Sequence, residues 1–287
     1  MLDLTLSVLC SSLIFVIFKL FDVYKIQTLY AIITNYIVAC LTGLFFYEEP
    51  IKVNQVITAD WFWGTLALGV LFILIFNLMA KTSQKVGVSV ASVATKMSFV
   101  VPVVVGVLLY KESLSFLKIV GILLALAAVY FASIKENKIS FSKEYLLLPI
   151  LVFLGSGVID ASINYFRETK LNSIEFPLFS ATVFAAAALT GLSFILIKAT
   201  KKPLKINFRN VIGGIALGVP NYFSIFFLLR ALQNNTLNSA SVFTINNVAI
   251  VMFSTVLGIV LFKEKISFKN WGGIALAIVS ILLVALF

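Results

Sequence analysis

The chain has 287 residues, of which 61% are hydrophobic and 12% charged, with a mean hydropathy of +1.08. A soluble domain carries about 25% charged and about 45–50% apolar residues, so this composition excludes an ordinary soluble fold. The chain has no histidine, which excludes His-based metal centres and Ser-His-Asp triads; its net charge of +10 fits basic loops on one membrane face better than a nucleic-acid surface, because no compact basic patch is interleaved with stacking aromatics.

Ten apolar runs follow one another, each long enough for a helix of about 30 Å that crosses a bilayer core. The first, 3–21, lacks a basic leader and a small-residue cleavage site, and is expected to be a retained span rather than a signal peptide. The second, 28–47, holds Asn35, and the third, 61–80, opens on Trp61 and Trp63 and holds Asn77. The fourth, 87–109, carries Lys96 and Pro102, and a kink is expected near the proline. The fifth is 116–134, the sixth, 145–166, contains Asp160 and Asn164, and the seventh is 176–197. The eighth, 210–230, contains Pro220-Asn221; the ninth, 238–262, contains Asn246-Asn247; the tenth is 270–287. The fold class is therefore all-α, a polytopic membrane protein. Trp61, Trp63 and Trp271, with Tyr24, Tyr47, Tyr110 and Tyr145, fall at span ends, as an aromatic belt at headgroup depth would. Cys10 and Cys40 lie inside apolar runs and read as fillers rather than a disulfide framework.

Loop charge orients the chain. The loops after spans 1, 3, 5, 7 and 9 hold fourteen Lys and Arg, and the opposite face six. The positive-inside rule then places both termini outside.

The chain also repeats itself. VVGVLLYKESLSFLKIVGILLA at 104–125 matches VLGIVLFKEKISFKNWGGIALA at 256–277 in 11 of 22 positions. The match includes Lys111-Glu112 against Lys263-Glu264 and Ser115-Phe116 against Ser267-Phe268. YKIQTL at 24–29 echoes TKLNSI at 169–174, and Leu-Gly-Val at 68–70 recurs at 217–219. The halves, 1–140 and 141–287, hold five spans each. An odd number turns the second copy upside down, the inverted-repeat plan of many secondary transporters. Gly121 and Ala125, like Gly273 and Ala277, are four apart, a spacing that lets helix backbones approach in lipid.

On these residues the chain resembles the EamA-type transporters of the drug/metabolite transporter superfamily, over nearly its whole length. The resemblance implies that spans 1–4 and 6–9 surround a central cavity, with spans 5 and 10 peripheral. It also implies a substrate among amino acids, other metabolites and drugs, often exported. Relatives commonly have Gly-Glu where this chain has Lys111-Glu112 and Lys263-Glu264.

Ionisable groups inside spans are costly, about 2.5–3.5 kcal/mol at a helix centre, and are functional candidates by default. Asp160 shares a helical face with Ser156 and Asn164 and can exchange a proton. By position it resembles the proton-binding carboxylate on the first helix of small multidrug transporters, while its counterpart in the first repeat is near Phe15. Lys96, on a face with Ser92, can hold a substrate carboxylate or neutralise Asp160. Asn35, Asn77, Asn164, Asn221, Asn246 and Asn247 are neutral candidates, either for a substrate or for interhelical hydrogen bonds.

The expected function is secondary transport of a small metabolite, amino acid or drug-like compound across the inner membrane, in the export direction. The partners are the lipid bilayer, that substrate and protons; no cofactor, metal or nucleic acid is expected, and a monomer is compatible with the sequence. A lipid-modifying enzyme would need paired Asp in a loop or His-rich motifs, and ATP coupling a Gly-Lys-Ser/Thr motif; none is present. A channel, or a non-transporting scaffold or sensor, is the alternative.

Overall fold

The computed structural model describes residues 1–47, 50, 53–110, 115–134, 144–171, 175–200, 207–233 and 239–286. Its helices are α1 (Leu2–Val23), α2 (Thr28–Phe45), α3 (Val53–Thr58), α4 (Phe62–Lys85), α5 (Val88–Met97) and α6 (Val100–Tyr110). They continue as α7 (Phe116–Ser133), α8 (Glu144–Thr169), α9 (Phe176–Ala199), α10 (Phe208–Gln233), α11 (Ser239–Phe262) and α12 (Phe268–Leu286). Ten spans are long and apolar enough to cross a membrane, α5 and α6 together forming one of them.

Two features go beyond the ten-run pattern. The short α3 precedes the third span, and the fourth span is broken at Ser98-Phe99. Pro102 accounts for the break, since it has no N–H to offer the Ser98 carbonyl one turn earlier. That carbonyl takes the Val101 N–H instead, at 2.9 Å. One expectation is corrected: Trp61 is not a belt residue. It is 2% exposed and packs edge-on against Phe179, because α4 begins beneath α9 rather than at the lipid edge. Trp63 and Trp271 are exposed, at 75% and 48%.

Both termini share one face with the α2–α4, α6–α7, α8–α9 and α10–α11 connections; we call it the terminal face. The five other connections lie on the opposite, basic face. Eight spans form a closed ring in the order α5/α6, α8, α4, α9, α2, α10, α1, α11 and back to α5. The remaining pair, α7 and α12, pack tightly on each other outside it, against α5 and α11.

The small residues prove the inversion contact by contact. A Cβ at Gly64 of α4 would strike Phe166 of α8, and a Cβ at Gly213 of α10 would meet Phe21 of α1 and Ile26 of the turn after it. Gly64 and Gly213 are equivalent at an offset of 149, and Phe21 and Phe166 at 145. Gly43 of α2 touches Ala181 and Tyr222, while Gly191 of α9 touches Ile33 and Ile73, the same contacts with the halves exchanged. Gly121 lies on Ser280, Leu283 and Val284, and Gly273 on Ala128, Phe131 and Ala132, each equivalent at an offset of 152. In lipid, helices gain no hydrophobic driving force from meeting, so such close approaches carry the association.

The repeated Ser-Phe dipeptide also acquires a cause. Ser115 and Ser267 are matched N-caps: each hydroxyl accepts the N–H three residues on, from Lys118 and Asn270, at 3.2 Å. Phe116 and Phe268 follow them, 77% and 91% exposed to lipid. Asn270 then departs from the symmetry. Its amide donates to the carbonyls of Phe131, Ala132 and Ile134 at 3.1, 2.8 and 2.8 Å, closing the end of α7. Asn270→Ala is expected to lower stability by about 1–3 kcal/mol, read as a lower thermal midpoint of the purified protein in detergent.

Candidate functional site

The site lies where α8 crosses the break of span 4. Gly155 and Gly157 bring α8 there: a Cβ at Gly155 would strike Ile75 of α4, and one at Gly157 would strike Val101 of α6 and come within 3.1 Å of the Ser98 carbonyl oxygen. With α8 drawn this close, the Ser98 hydroxyl donates to Asp160 Oδ2 at 2.8 Å. Lys96, two residues before Ser98, is the cation whose charge acts on Asp160. Gly157→Val is expected to force α8 off α6 at about 1–3 kcal/mol, as overpacking does. It should also impair any activity that needs Asp160 at the break, with thermal unfolding as the measure.

Asp160 lies between buried Phe153 and Ser156 on the helical wheel of α8, yet it is itself exposed. The lipid face of α8 is elsewhere, marked by exposed Leu151, Leu154, Val158 and Tyr165. The exposed surface of Asp160 is therefore turned away from that face, toward the Ser98 break, and we read it as the floor of a crevice between the helices. Lys96 and Asn247 are half-buried. The Ser254 hydroxyl donates to Ser92 Oγ at 2.7 Å and fixes the level of α11 against α5. Asn247 and Phe99 both lie seven residues nearer the terminal face than that bond, about 10 Å along each helix. Asn247 is thus level with the break. The Ser156 hydroxyl is buried without a partner on the same face of α8 as Asp160.

The crevice is sealed toward the basic face. Ser83 donates to the Phe15 carbonyl at 2.8 Å, Gln84 to the Phe18 carbonyl and Thr28 Oγ1 at 3.0 Å each, and Lys19 to the Gln84 carbonyl at 2.7 Å. These bonds tie α1 to α4 across the ring. Beside them, Glu264 accepts the Val88 N–H at 2.7 Å and the Ser89 hydroxyl at 3.1 Å, capping α5 from the α11–α12 turn. Gly87, at φ +147°, and Gly258 leave room for that carboxylate. On the terminal face the equivalent pairs are looser: among the described residues α8 and α10, like α6 and α11, make at most slight contact.

The other predicted residues are spread out. Asn221 donates to Asn35 Oδ1 at 3.1 Å, joining α10 to α2, and Asn246 accepts the Ser7 hydroxyl at 3.1 Å, joining α11 to α1. All three amides are buried in helix contacts. Asn77 donates to its own helix at Ile73, 2.7 Å away, on the face of exposed Val70 and Leu74. Asn164 accepts from Arg167 at 2.9 Å near the end of α8. Lys111-Glu112 lies outside the described residues. The sealing residues Lys19, Ser83 and Gln84 were not candidates from sequence; the signal was there, since Lys81-x-x-Gln84 recurs as Arg230-x-x-Gln233.

The sequence profile of the EamA-like transporter family matches residues 2–134 and again 147–286. The chain belongs to that family. An uncharacterized protein of Haemophilus influenzae is 29% identical over 285 residues, covering 97% of this chain and 96% of its own. A solved crystal structure, 15% identical, has the same fold over 99% of this chain and 96% of its own, with a TM-score of 0.59. The EamA-like chain is thus a multi-pass membrane protein of ten spans in two inverted repeats.

Proposed function

We propose that this EamA-like protein is a proton-coupled secondary transporter that exports a small metabolite, amino acid or drug-like compound across the inner membrane. The observation that carries this reading is Asp160, an ionisable group at a helix break, facing a crevice that is tied shut on the basic face. A carboxyl in that position can bind a proton from one side and release it to the other as the seal changes sides. The Ser98 hydroxyl holds the carboxyl at the break; Asn247 and Ser156, at the same crevice, supply neutral polar groups for a substrate. Asn35, Asn221 and Asn246 serve the packing of the helices around it. The excess of Lys and Arg on the basic face supports an orientation with that face inside and the termini outside.

Proteoliposomes test the function. With a panel of metabolites to which an expressing strain becomes resistant, gradient-dependent accumulation is expected for at least one. A conductance far above carrier turnover would instead make the protein a channel.

A further inference from the structure

A cavity of about 310 Å³ lies at the basic-face end of the structure, between α1, the α4–α5 turn, the end of α7 and the α11–α12 turn. That volume is at the small end of the range for ligand pockets, about 300–1,000 Å³. The cavity is separate from the crevice at Asp160: Ser89 lines it, and Ser98 stands nine residues further along span 4, about 13 Å away.

Three cations meet in this cavity: Lys19 of α1, Lys85 at the end of α4 and Lys265 of the α11–α12 turn. Lys19 uses one of its three N–H donors on the Gln84 carbonyl. The one carboxylate among the lining residues, Glu264, is held by the Val88 N–H and the Ser89 hydroxyl. The carbonyls at the end of α7 are held by the Asn270 amide. With three lysines against one carboxylate, the cavity keeps an excess of positive charge. The positive-inside rule accounts for cations on this face, but it does not require them to line one cavity between helices. Nor does the repeat supply them. At the offsets of 145, 149 and 152 set by the matched glycine contacts, the equivalent positions hold Asn164, Asn234 and Ser113, whereas Glu264 has its twin in Glu112.

The rest of the wall includes apolar Val90, Ile266 and Ile274, so the cavity suits an amphiphilic anion. Its depth and position point to the source. Asn270 lines the cavity, and the next residue, Trp271, is 48% exposed at the start of α12, as a side chain at headgroup depth is. α7 and α12 lie outside the ring of eight spans, so a cavity walled by their ends adjoins lipid. Basic pockets between spans on the cytoplasmic side hold the headgroups of anionic lipids. We propose that this cavity binds the phosphate headgroup of an anionic phospholipid, with Lys19, Lys85 and Lys265 on the phosphate and the glycerol ester against the apolar wall. The inference does not depend on the transport reading.

The full chain, carrying Trp63→Phe, is reconstituted in phosphatidylcholine vesicles that contain brominated phosphatidylglycerol or brominated phosphatidylcholine. Trp61 is buried, so quenching reports the lipid beside Trp271. Brominated phosphatidylglycerol is expected to quench at the lower mole fraction. Lys85→Gln and Lys265→Gln are each expected to reduce that preference about fivefold, while Lys265→Arg keeps it. Arg209→Gln removes a charge from the same face outside the cavity and is expected to leave the preference unchanged. No preference for phosphatidylglycerol, or an equal loss in Arg209→Gln, would overturn the proposal, because the attraction would then be that of the whole basic surface. Relief of the quenching by millimolar glycerol phosphate in the buffer would assign the cavity to a soluble phosphate ester and overturn the lipid source.

Discussion

Asp160→Asn is expected to abolish accumulation driven by a pH gradient while leaving exchange of substrate across the membrane intact. A carrier that couples one proton to one substrate can concentrate it about tenfold for each unit of pH gradient, because a tenfold ratio costs about 1.4 kcal/mol. With asparagine in place that ratio should fall to one. The substitution is suited to the question because asparagine is nearly isosteric and its carbonyl still accepts from the Ser98 hydroxyl, now at 2.8 Å from Asp160. The fold at the break should therefore survive, and only the proton is lost. Accumulation that is unchanged in Asp160→Asn across pH would remove the coupling role and leave the carrier itself standing.

Lys96→Ala is expected to destabilise the site through Asp160. It removes the positive charge that acts on Asp160; a fully buried carboxylate left without its partner would cost about 3–5 kcal/mol. Asp160 is itself exposed, and among the described residues no ion pair within 4 Å joins it to Lys96, so the loss is discounted to about 1 kcal/mol. The test is a pair of thermal midpoints: a fall for Lys96→Ala, and recovery of most of it in Lys96→Ala/Asp160→Asn, where no charge remains to be neutralised. A double variant as unstable as the single one would show that Lys96 acts on something other than Asp160. If the double variant folds well but moves no acidic substrate, Lys96 is a ligand as well as a counter-ion.

Much of the fold is written in the sequence because lipid restricts what a chain can do. A span must be apolar and about 20 residues long, so runs of that length give the helices almost directly. The offset of 152 between the Lys-Glu-x-x-Ser-Phe segments gives the repeat, and the repeat gives the inversion. Leu-Gly-Val at 68–70 and 217–219 is a weak match by eye, but it marks Gly69 against Ala186 and Gly218 against Val38, the same interface in each half. The break in span 4 is legible only in part: Pro102 announces a disturbance, while its position at Ser98-Phe99 follows from which carbonyl loses its donor.

The candidate site is harder to read in advance. Asp160 and Lys96 stand out because charge is rare in spans, and the structure places them at one break. The asparagines do not separate so easily. Asn35 and Asn221 bond each other, Asn77 bonds its own helix, and Asn247 lies half-exposed level with the break. Which amide points inward depends on helix rotation, which apolar runs with small hydrophobic contrast between faces leave undefined. The seal is harder still, because Gln84 and Ser83 bond to backbone carbonyls, and a carbonyl acceptor has no side-chain signature.

The central claim is that the two halves lie upside down with respect to each other around Asp160, with the basic face inside. Lys25 and Lys170 are equivalent positions at the ends of α1 and α8. In a cysteine-free chain in intact cells, Lys170→Cys is predicted to react with a membrane-impermeant maleimide added outside. Lys25→Cys should react only after the membrane is opened. Reaction of both cysteines from the same side would contradict the account.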